Sequence, residues 1–388
     1  MTYRKFKADY LFLGDQMAGP DSVLITTEEG IVRSVVSEAG AGEGIERYRG
    51  LLCPGFINCH CHLELSHLKG LIPEGTGLVD FLSMVIRRRG ESAAEDVAAA
   101  IAAAEQEMLD NGIVAVGDIC NTEDTLGRKR AGRMRYYNFI ETIGFIDHSA
   151  ADRFSASRRV FEAFEKGGVS SIVPHAPYSV SPALFGLVAG FAGGRLLTMH
   201  SQESSAENEF YLTGRGGLLR LYAALGLDVS WFGGTGKRSL ESVLPHFDRG
   251  QPMILVHNVD TGKEDLEVAA AWRNLFFCHC PNANLYIGGR LPDVRLLVER
   301  GCRMVVGTDS LASNHQLSIL EELKTLQRAF PGLELSTLLQ WATANGAVAL
   351  GMDDILGEFA PGKAPGVLLL QGLGGDRLAP ATTVKRLI

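Results

Sequence analysis

The sequence predicts an α/β fold, a (β/α)8 TIM barrel with a small flanking β-module built from both termini. Three observations lead to this prediction: eight apolar runs alternate with helical patterns, the runs are continuous, and most end in a residue that can bind a metal or move a proton. Continuous apolar runs indicate strands buried on both faces, as in a parallel sheet. Because such a barrel carries its chemistry at the carboxyl ends of its strands, we expect these polar residues to meet in one site.

The first run starts at Leu51 and leads directly into Cys59-His60-Cys61-His62. The other seven predicted strands are 113–118, 135–141, 171–175, 195–200, 252–257, 274–279 and 303–309. Helical patterns between the strands include 93–111, 155–166, 182–191, 293–300 and 316–330. Strand and helix thus alternate around the whole predicted barrel.

The chain divides into three predicted regions. Residues 1–50 form the N-terminal part of the β-module, 51–356 the metal-dependent barrel, and 357–388 the C-terminal part of the module. The first region alternates strand patterns with turns and predicts a meander without a helix. Since neither terminal piece is long enough to bury a core alone, we expect the two to pair beside the barrel.

Composition limits the classes of partner. The 388 residues carry a formal net charge of -8, with 46% apolar and 21% charged residues, as in an ordinary globular protein. Nucleic acid is therefore not expected, and the short basic runs Arg87-Arg88-Arg89 and Arg128-Lys129-Arg130 are interpreted as solvated helix faces. The absence of a membrane-length apolar run or a signal-peptide core predicts a cytoplasmic protein with no membrane partner.

The expected partner is a small-molecule substrate. Whether the chain also forms a homo-oligomer is left open.

The seven cysteines are an odd number and lie mostly inside apolar strands. We therefore expect them to be reduced core residues and not a disulfide framework.

The pair His60 and His62 is the most informative motif. Side chains alternate along a strand, so both imidazoles project to one side while Cys59 and Cys61 project to the other. Two converging imidazoles are half of a metal site. A chain with 10 histidines can also produce this spacing by chance.

Several motifs occur in one order along nearly the whole chain. They are His60-Cys61-His62 after a Pro-Gly-Phe strand, His175-Ala176-Pro177-Tyr178-Ser179, His200 followed by Glu203, His257, and Gly307-Thr308-Asp309. This set resembles the amidohydrolase superfamily, and within it the deaminase branch that includes methylthioadenosine/S-adenosylhomocysteine deaminases. The segment that begins at Gly307 is similar to aminodeoxyfutalosine deaminases.

The resemblance implies that His60, His62, His200 and Asp309 hold one divalent metal ion. Three imidazoles and a carboxylate leave a coordination position for water, which is typical of a catalytic site. Zinc is the expected ion, and iron or manganese would accept the same ligands. No lysine stands at the end of strand four, where family members with two metals usually carry a carboxylated lysine, so a mononuclear site is favoured.

The resemblance also implies catalytic roles for Glu203, His257 and Asp309. The metal makes hydroxide available near neutral pH. His257 orients the hydroxide, Asp309 takes its proton, and Glu203 carries protons to the ring nitrogen and to the departing ammonia. Because the segment around Glu203 is polar throughout, a solvated loop acid is the alternative for this residue.

Substrate contacts are expected from strand ends and from loops near the ligands. His175 and His279 end predicted strands, although each could instead cap a loop. Glu64 and His67 follow the histidine pair, and Asn314 follows Asp309.

Together these features predict a hydrolytic deaminase, in which a metal-activated hydroxide replaces a ring amino group of a purine or purine-nucleoside-like substrate with oxygen. The substrate is adenosine-type, with aminodeoxyfutalosine as one candidate. One alternative is a hydrolase of cyclic amides or triazine substituents with the same metal site. Another is a catalytically silent metal- or ligand-binding barrel. The presence of both Glu203 and His257 disfavours this alternative.

Overall fold

The N-terminal region forms short strands of a small β-module. The structure is a computed structural model that describes residues 2–388. A short helix, α1 (Glu38–Ala41), lies within this region, so the predicted meander without a helix is wrong at this point. The strands are β1 (Tyr3–Lys7), β2 (Tyr10–Leu11), β3 (Ser22–Thr27), β4 (Val32–Ser37), β5 (Ile45–Arg47) and β6 (Leu51–Cys53).

Each of the eight barrel strands overlaps one of the eight predicted apolar runs. They are β7 (Phe56–Cys61), β8 (Ile113–Cys120), β9 (Arg135–Thr142), β10 (Val169–Pro174), β11 (Leu197–Ser201), β12 (Met253–His257), β13 (Leu275–His279) and β14 (Arg303–Val306). Two further strands, β15 (Leu368–Gln371) and β16 (Thr383–Arg386), follow near the C-terminus.

Helices separate the barrel strands. The helices are α2 (Leu78–Arg88), α3 (Ala94–Asp110), α4 (Leu126–Arg130), α5 (Ala150–Glu165), α6 (Pro182–Ala192), α7 (Ser205–Thr213), α8 (Leu218–Ala224), α9 (Ser239–Val243), α10 (Lys263–Ala269), α11 (Pro281–Gly288), α12 (Val294–Glu299), α13 (Ile319–Ala329), α14 (Leu335–Ala342) and α15 (Ala344–Ala349). Four 3₁₀ turns span Leu63–Leu68, Asp147–Ser149, Pro177–Ser179 and Leu244–His246. Among residues 2–388, none of these helices combines the length and apolar character needed to cross a membrane.

Local chemistry explains where individual helices begin. Ser181 precedes α6, and its hydroxyl oxygen accepts a hydrogen bond from the Leu184 amide at 3.2 Å. Pro182 occupies the first helical position, where a missing amide proton costs nothing. The helix therefore starts directly after β10 and the 3₁₀ turn that follows it.

Parallel pairing runs around the barrel in chain order. Strands β7 to β10 pair consecutively in parallel, as do strands β11 to β14. The two sheets meet at two seams, where β10 lies beside β11 and where β14 lies beside β7. At the first seam the His200 amide donates to the carbonyl of His175 at 2.8 Å. At the second the amides of Thr308 and Asp309 both donate to the carbonyl of His60 at 3.1 Å. The predicted α/β barrel is confirmed, and its two seams lie beside the expected metal ligands.

The first predicted strand is two strands and not one. Pro54 and Gly55 interrupt the apolar run, so β6 ends before them and β7 begins after them. Gly55 is required at this bend because a Cβ there would lie 2.3 Å from the Val114 side chain. β6 pairs with β15 and β2 in the module, whereas β7 carries the histidines into the barrel.

Strands from both termini share one sheet of the module, in the order β16-β15-β6-β2. A second sheet has the order β4-β3-β1-β5. A small apolar core joins them, in which Phe6 and Leu24 contact a cluster that includes Phe359 and Val367. The domain limits at residues 50 and 357 stay a prediction.

Candidate metal centre

Imidazoles on β7, directly after β7 and on β11 converge with one carboxylate in the barrel. The Nε2 atoms of His60 and His62 lie 3.2 Å apart, and they lie 3.5 and 3.4 Å from Oδ1 of Asp309. Ligand atoms of His60, His62 and His200 lie within 4.8 Å of one another, and so do those of His60, His257 and Asp309. All five side chains are buried. The strand order predicted from the sequence thus brings together every residue of the expected metal set.

The donor set fits a divalent cation. Burial lowers the pKa of His60 to about 4 and that of His62 to about 3, so both are neutral at pH 7 and have lone pairs to donate. Two facing imidazole nitrogens at 3.2 Å repel unless a proton or a metal ion lies between them. Although burial opposes it, His60, His62 and His257 hold the pKa of Asp309 well below its usual range. Neutral nitrogens beside an ionised carboxylate suit zinc, iron or manganese.

The surroundings of His200 carry excess negative charge. Burial acts to lower its pKa, but the carboxylates of Glu141, Glu203 and Asp309 together raise the pKa of His200 to about 9. Oε1 of Glu141 lies 3.7 Å from Nε2 of His200. This potential stabilises a positive charge at the centre, whether that charge is a proton or a metal ion.

The backbone is unusual where two of these residues leave their strands. His257 has φ of 76° and Asp309 has φ of 57°, in the left-handed region that non-glycine residues rarely adopt. Neighbouring Gln202 and Asn258 also have positive φ, at 49° and 56°. Such conformations are concentrated at functional sites, where the surrounding structure maintains them. Here they turn side chains from the strand ends toward the centre.

Polar contacts fix His257 and Asp309. Nδ1 of His257 lies 2.8 Å from the amide oxygen of Asn284, so it donates its proton there and leaves Nε2 as the acceptor. That Nε2 faces Nδ1 of His200 at 3.0 Å and Oε1 of Glu203 at 3.7 Å. Ser313 donates to Oδ2 of Asp309 at 2.6 Å, which leaves Oδ1 facing the histidines.

Glu203 lies inside the site. Its side chain is only 8% exposed, which differs from the solvated loop acid considered as an alternative. Its carboxylate belongs to one cluster with His200 and His257, in which the ligand atoms lie within 4.8 Å of one another. It is therefore placed to exchange protons with a molecule bound at the centre.

The two histidines predicted to contact substrate, His175 and His279, differ in their surroundings. The ring of His175 lies 4.8 Å from that of His200, and its Nδ1 lies 2.7 Å from the Ser179 hydroxyl, so Nε2 is the nitrogen available to a substrate. His279 is fully buried, and neither ring nitrogen has a hydrogen-bond partner within residues 2–388. Burial lowers the pKa of His279 to about 3.

Glu64, His67 and Asn314 make contacts within the protein. The carboxylate of Glu64 accepts hydrogen bonds from the amides of Asn121 and Thr122 at 2.9 and 3.1 Å, and burial raises its pKa to about 7. The ring of His67 contacts the carbonyl of Glu64 at 3.1 Å. Asn314 donates to the Thr308 carbonyl at 2.9 Å and to Glu322 at 2.8 Å. Direct substrate contact by these three stays a prediction.

Two groups in the site were not predicted from the sequence. Glu141 contacts both His200 and Asn121, whose side-chain amide donates to it at 3.0 Å. Its position at the end of an apolar run was the pattern that could have identified it. No comparable sequence pattern marks Asn284, because it lies within α11 and not at the end of an apolar run. It contacts His257 only because the folded chain brings the two segments together.

Comparison with known proteins places the chain in a family. The model for the amidohydrolase family matches residues 51–385. An aminodeoxyfutalosine deaminase from a Nitratiruptor species is 28% identical over 326 residues, covering 81% of this chain and 77% of that protein. A 5-methylthioadenosine/S-adenosylhomocysteine deaminase from Pelotomaculum thermopropionicum is 26% identical over 378 residues, covering 91% and 82%.

A solved structure shares the whole fold. The Helicobacter pylori aminofutalosine deaminase, crystallised with methylthio-coformycin, superposes with a TM-score of 0.84 at 23% identity, over 99% of this chain and 100% of that one. At this identity the likeness establishes the fold alone. The match of the family model over most of the sequence establishes more: the chain belongs to the amidohydrolase family.

Proposed function

We propose that this protein is a metal-dependent hydrolytic deaminase, which replaces a ring amino group of an adenosine-type substrate with oxygen and releases ammonia. The observation that carries the proposal is the position of Glu203, 3.7 Å from Nε2 of His257 and in one cluster with His200. The names of the relatives support the same chemistry, since they are aminodeoxyfutalosine and methylthioadenosine/S-adenosylhomocysteine deaminases.

His60, His62, His200 and Asp309 would hold one divalent ion, for which we propose zinc. When bound, such an ion supplies a hydroxide nucleophile near neutral pH by lowering the pKa of water. The supporting observations are the neutral, buried His60 and His62 and the ionised Asp309 beside them.

The protein's own groups would move the protons. Glu203 carries one proton to the ring nitrogen next to the reacting carbon, and later another to the leaving ammonia. His257 accepts a hydrogen bond at Nε2 and orients the nucleophile, because Asn284 fixes its Nδ1 proton. Asp309 receives a proton at Oδ1, because Ser313 occupies Oδ2.

His175 is the best-placed substrate contact. Ser179 holds its Nδ1, and its ring lies beside His200, so Nε2 is the nitrogen that would contact a ligand at the centre. Burial lowers the pKa of His175 to about 4, so this imidazole is neutral at pH 7 and can donate or accept a hydrogen bond. A neutral ring matches a purine nitrogen better than it matches an anion.

Hydrolysis of cyclic amides or triazine substituents, and a silent binding barrel, are less well supported. A silent barrel gives no reason for a carboxylate 8% exposed beside the metal ligands. Removal of an amino group requires two proton deliveries to the substrate, and Glu203 is placed to make both.

The experiment measures ammonia release from adenosine, 5′-deoxyadenosine, methylthioadenosine and aminodeoxyfutalosine, with guanine as a second purine class. We expect turnover with one or more adenosine-type compounds, and a fall of at least about a thousandfold in Glu203→Gln at unchanged metal content. Glu209→Gln is the matched control, because Glu209 lies on the exposed side of α7. Near-normal turnover in Glu203→Gln would exclude the proton carrier, and no ammonia from any compound would exclude deamination of this class.

A further inference from the structure

A buried amine lies behind the metal centre. The basic run Arg128-Lys129-Arg130 is predicted from the sequence to be solvated, but this expectation is wrong for Lys129, whose side chain is 6% exposed. Its Nζ lies 2.5 Å from Oδ2 of Asp118 and 3.0 Å from Sγ of Cys120. The rings of Tyr136 and Phe164 lie 5.1 and 4.9 Å from the same nitrogen.

This cluster is unused by the proposed deamination. Asp118 and Cys120 are two residues apart on β8, so their side chains share one face of the strand, and α4 brings Lys129 onto that face. Both β8 side chains are fully buried. An amine, a thiol and a carboxylate are thereby held together in a site that excludes bulk water.

We propose that Cys120 and Lys129 form a covalent modification site, in which dioxygen links Sγ to Nζ through a single oxygen atom. The 3.0 Å separation is short enough for one atom to bridge it. Dioxygen suits the location because it is small and apolar. Cys120 has no exposed surface, and two aromatic rings lie near the Lys129 amine beside it. Asp118 can accept the proton that the Lys129 ammonium must lose before its lone pair can react.

The reaction balances with one molecule of dioxygen. One S–H bond and one N–H bond break, and one S–O bond and one O–N bond form. One oxygen atom remains in the bridge, and the other leaves as water with the two hydrogens. Sulfur and nitrogen each lose two electrons, and dioxygen accepts the four. Sulfur thus reaches the oxidation level of a sulfenic acid, which a thiol reductant or a phosphine can reverse.

The link would reach the metal centre through one hydrogen bond. Oδ1 of Asp118 accepts from the amide of Leu63 at 2.9 Å, and Leu63 directly follows the ligand His62. The modification removes the cation that faces Asp118 and fixes β8 to α4. A change in turnover would follow, but the test below depends on mass and is independent of the proposed function.

The experiment uses the full chain, purified without air in a reductant and then transferred to dioxygen-saturated buffer. We expect a mass gain of about 14 Da, one oxygen gained and two hydrogens lost, which a phosphine reverses. Trypsin should then release residues 90–128, in which Cys120 is the one cysteine, still joined to the dipeptide 129–130, because cleavage after a modified Lys129 is blocked.

Three variants complete the test. Cys120→Ser and Lys129→Arg should abolish the gain, whereas the control Cys302→Ser, at a half-buried cysteine, should keep it. An unchanged mass, a gain of about 16 or 32 Da at Cys120 without the linked peptide, or persistence of the linked mass in Lys129→Arg would overturn the proposal. If a variant does not fold, the peptide map of the protein without substitutions, taken after exposure to dioxygen, still decides the question.

Discussion

Adding a single methyl group at Gly307 should weaken metal binding at the candidate centre. Gly307 follows β14 and precedes Thr308 and Asp309, whose amides both donate to the His60 carbonyl at 3.1 Å. A Cβ at Gly307 would lie 2.8 Å from Cβ of His60 and 2.9 Å from its backbone N and O. These atoms belong to a barrel strand and cannot move aside as a flexible side chain would.

The expected magnitude follows from these distances. Ordinary contact starts near 3.4 Å, so Gly307→Ala must separate the two strands by about 0.5 Å, and overpacking of this kind typically costs about 1–3 kcal/mol. For a chain of this size that corresponds to a fall in Tm of about 1–4 °C. The separation also moves Asp309 away from His60, and a shift of about 0.5 Å exceeds the tolerance of about 0.2 Å on metal–ligand distances.

The assay measures divalent metal per chain by elemental analysis after dialysis against a weak chelator, together with thermal unfolding. The matched control is Gly332→Ala, since a Cβ at Gly332 would meet nothing within 4 Å. Gly307→Ala should lose most of its metal under conditions where Gly332→Ala keeps it. Equal metal content and equal Tm in the two variants would refute the steric argument.

Three further outcomes are expected. Elemental analysis should find about one divalent ion per chain, and it should be lost in His200→Ala and in Asp309→Ala; two ions per chain would contradict a mononuclear site. His257→Asn should keep much of the metal while turnover falls about a hundredfold or more, and metal loss as complete as in His200→Ala would make His257 a ligand. Burial raises the pKa of Glu207 from 4.5 to about 8, so the folded state keeps a proton that the unfolded state releases. Stability should therefore fall as pH rises between these values, by about 1.4 kcal/mol per unit. Urea unfolding of Glu207→Gln across this range should lack that slope, and an identical slope in both proteins would exclude a protonated Glu207.

The sequence was sufficient to predict that the expected metal-binding residues lie close together, although it did not identify Glu141 or Asn284. Each apolar run ended at a residue such as His257, and in a parallel barrel all strand ends lie on one rim. Chain order alone therefore brings His60, His200 and Asp309 together, although they are far apart in sequence. The choice of these residues as the metal ligands, among all the polar strand ends, depended on the resemblance to the amidohydrolase superfamily.

Other features could not be predicted because they depend on contacts between distant segments. Leu51–Cys53 and Phe56–Cys61 are equally apolar, and only pairing with β15 or with β8 separates module from barrel. Lys129 stands between two arginines in the sequence, yet it is buried because Asp118 on a different element faces it. Asn284 likewise acquires its role through a contact with His257, 27 residues away.

The geometry of the centre connects these observations to metal binding. Positive φ values at His257 and Asp309 cost of the order of 1–3 kcal/mol each, and the facing nitrogens of His60 and His62 add repulsion. The barrel tolerates this arrangement because hydrogen bonds from Asn284 and Ser313 hold the side chains in place from behind. A cation at this position would relieve the repulsion and interact with the ionised carboxylate, and it would bind to a site that the fold has already ordered. Such preorganisation would make Asn284 and Ser313, which lie behind the proposed metal-binding side chains, important for metal affinity as well.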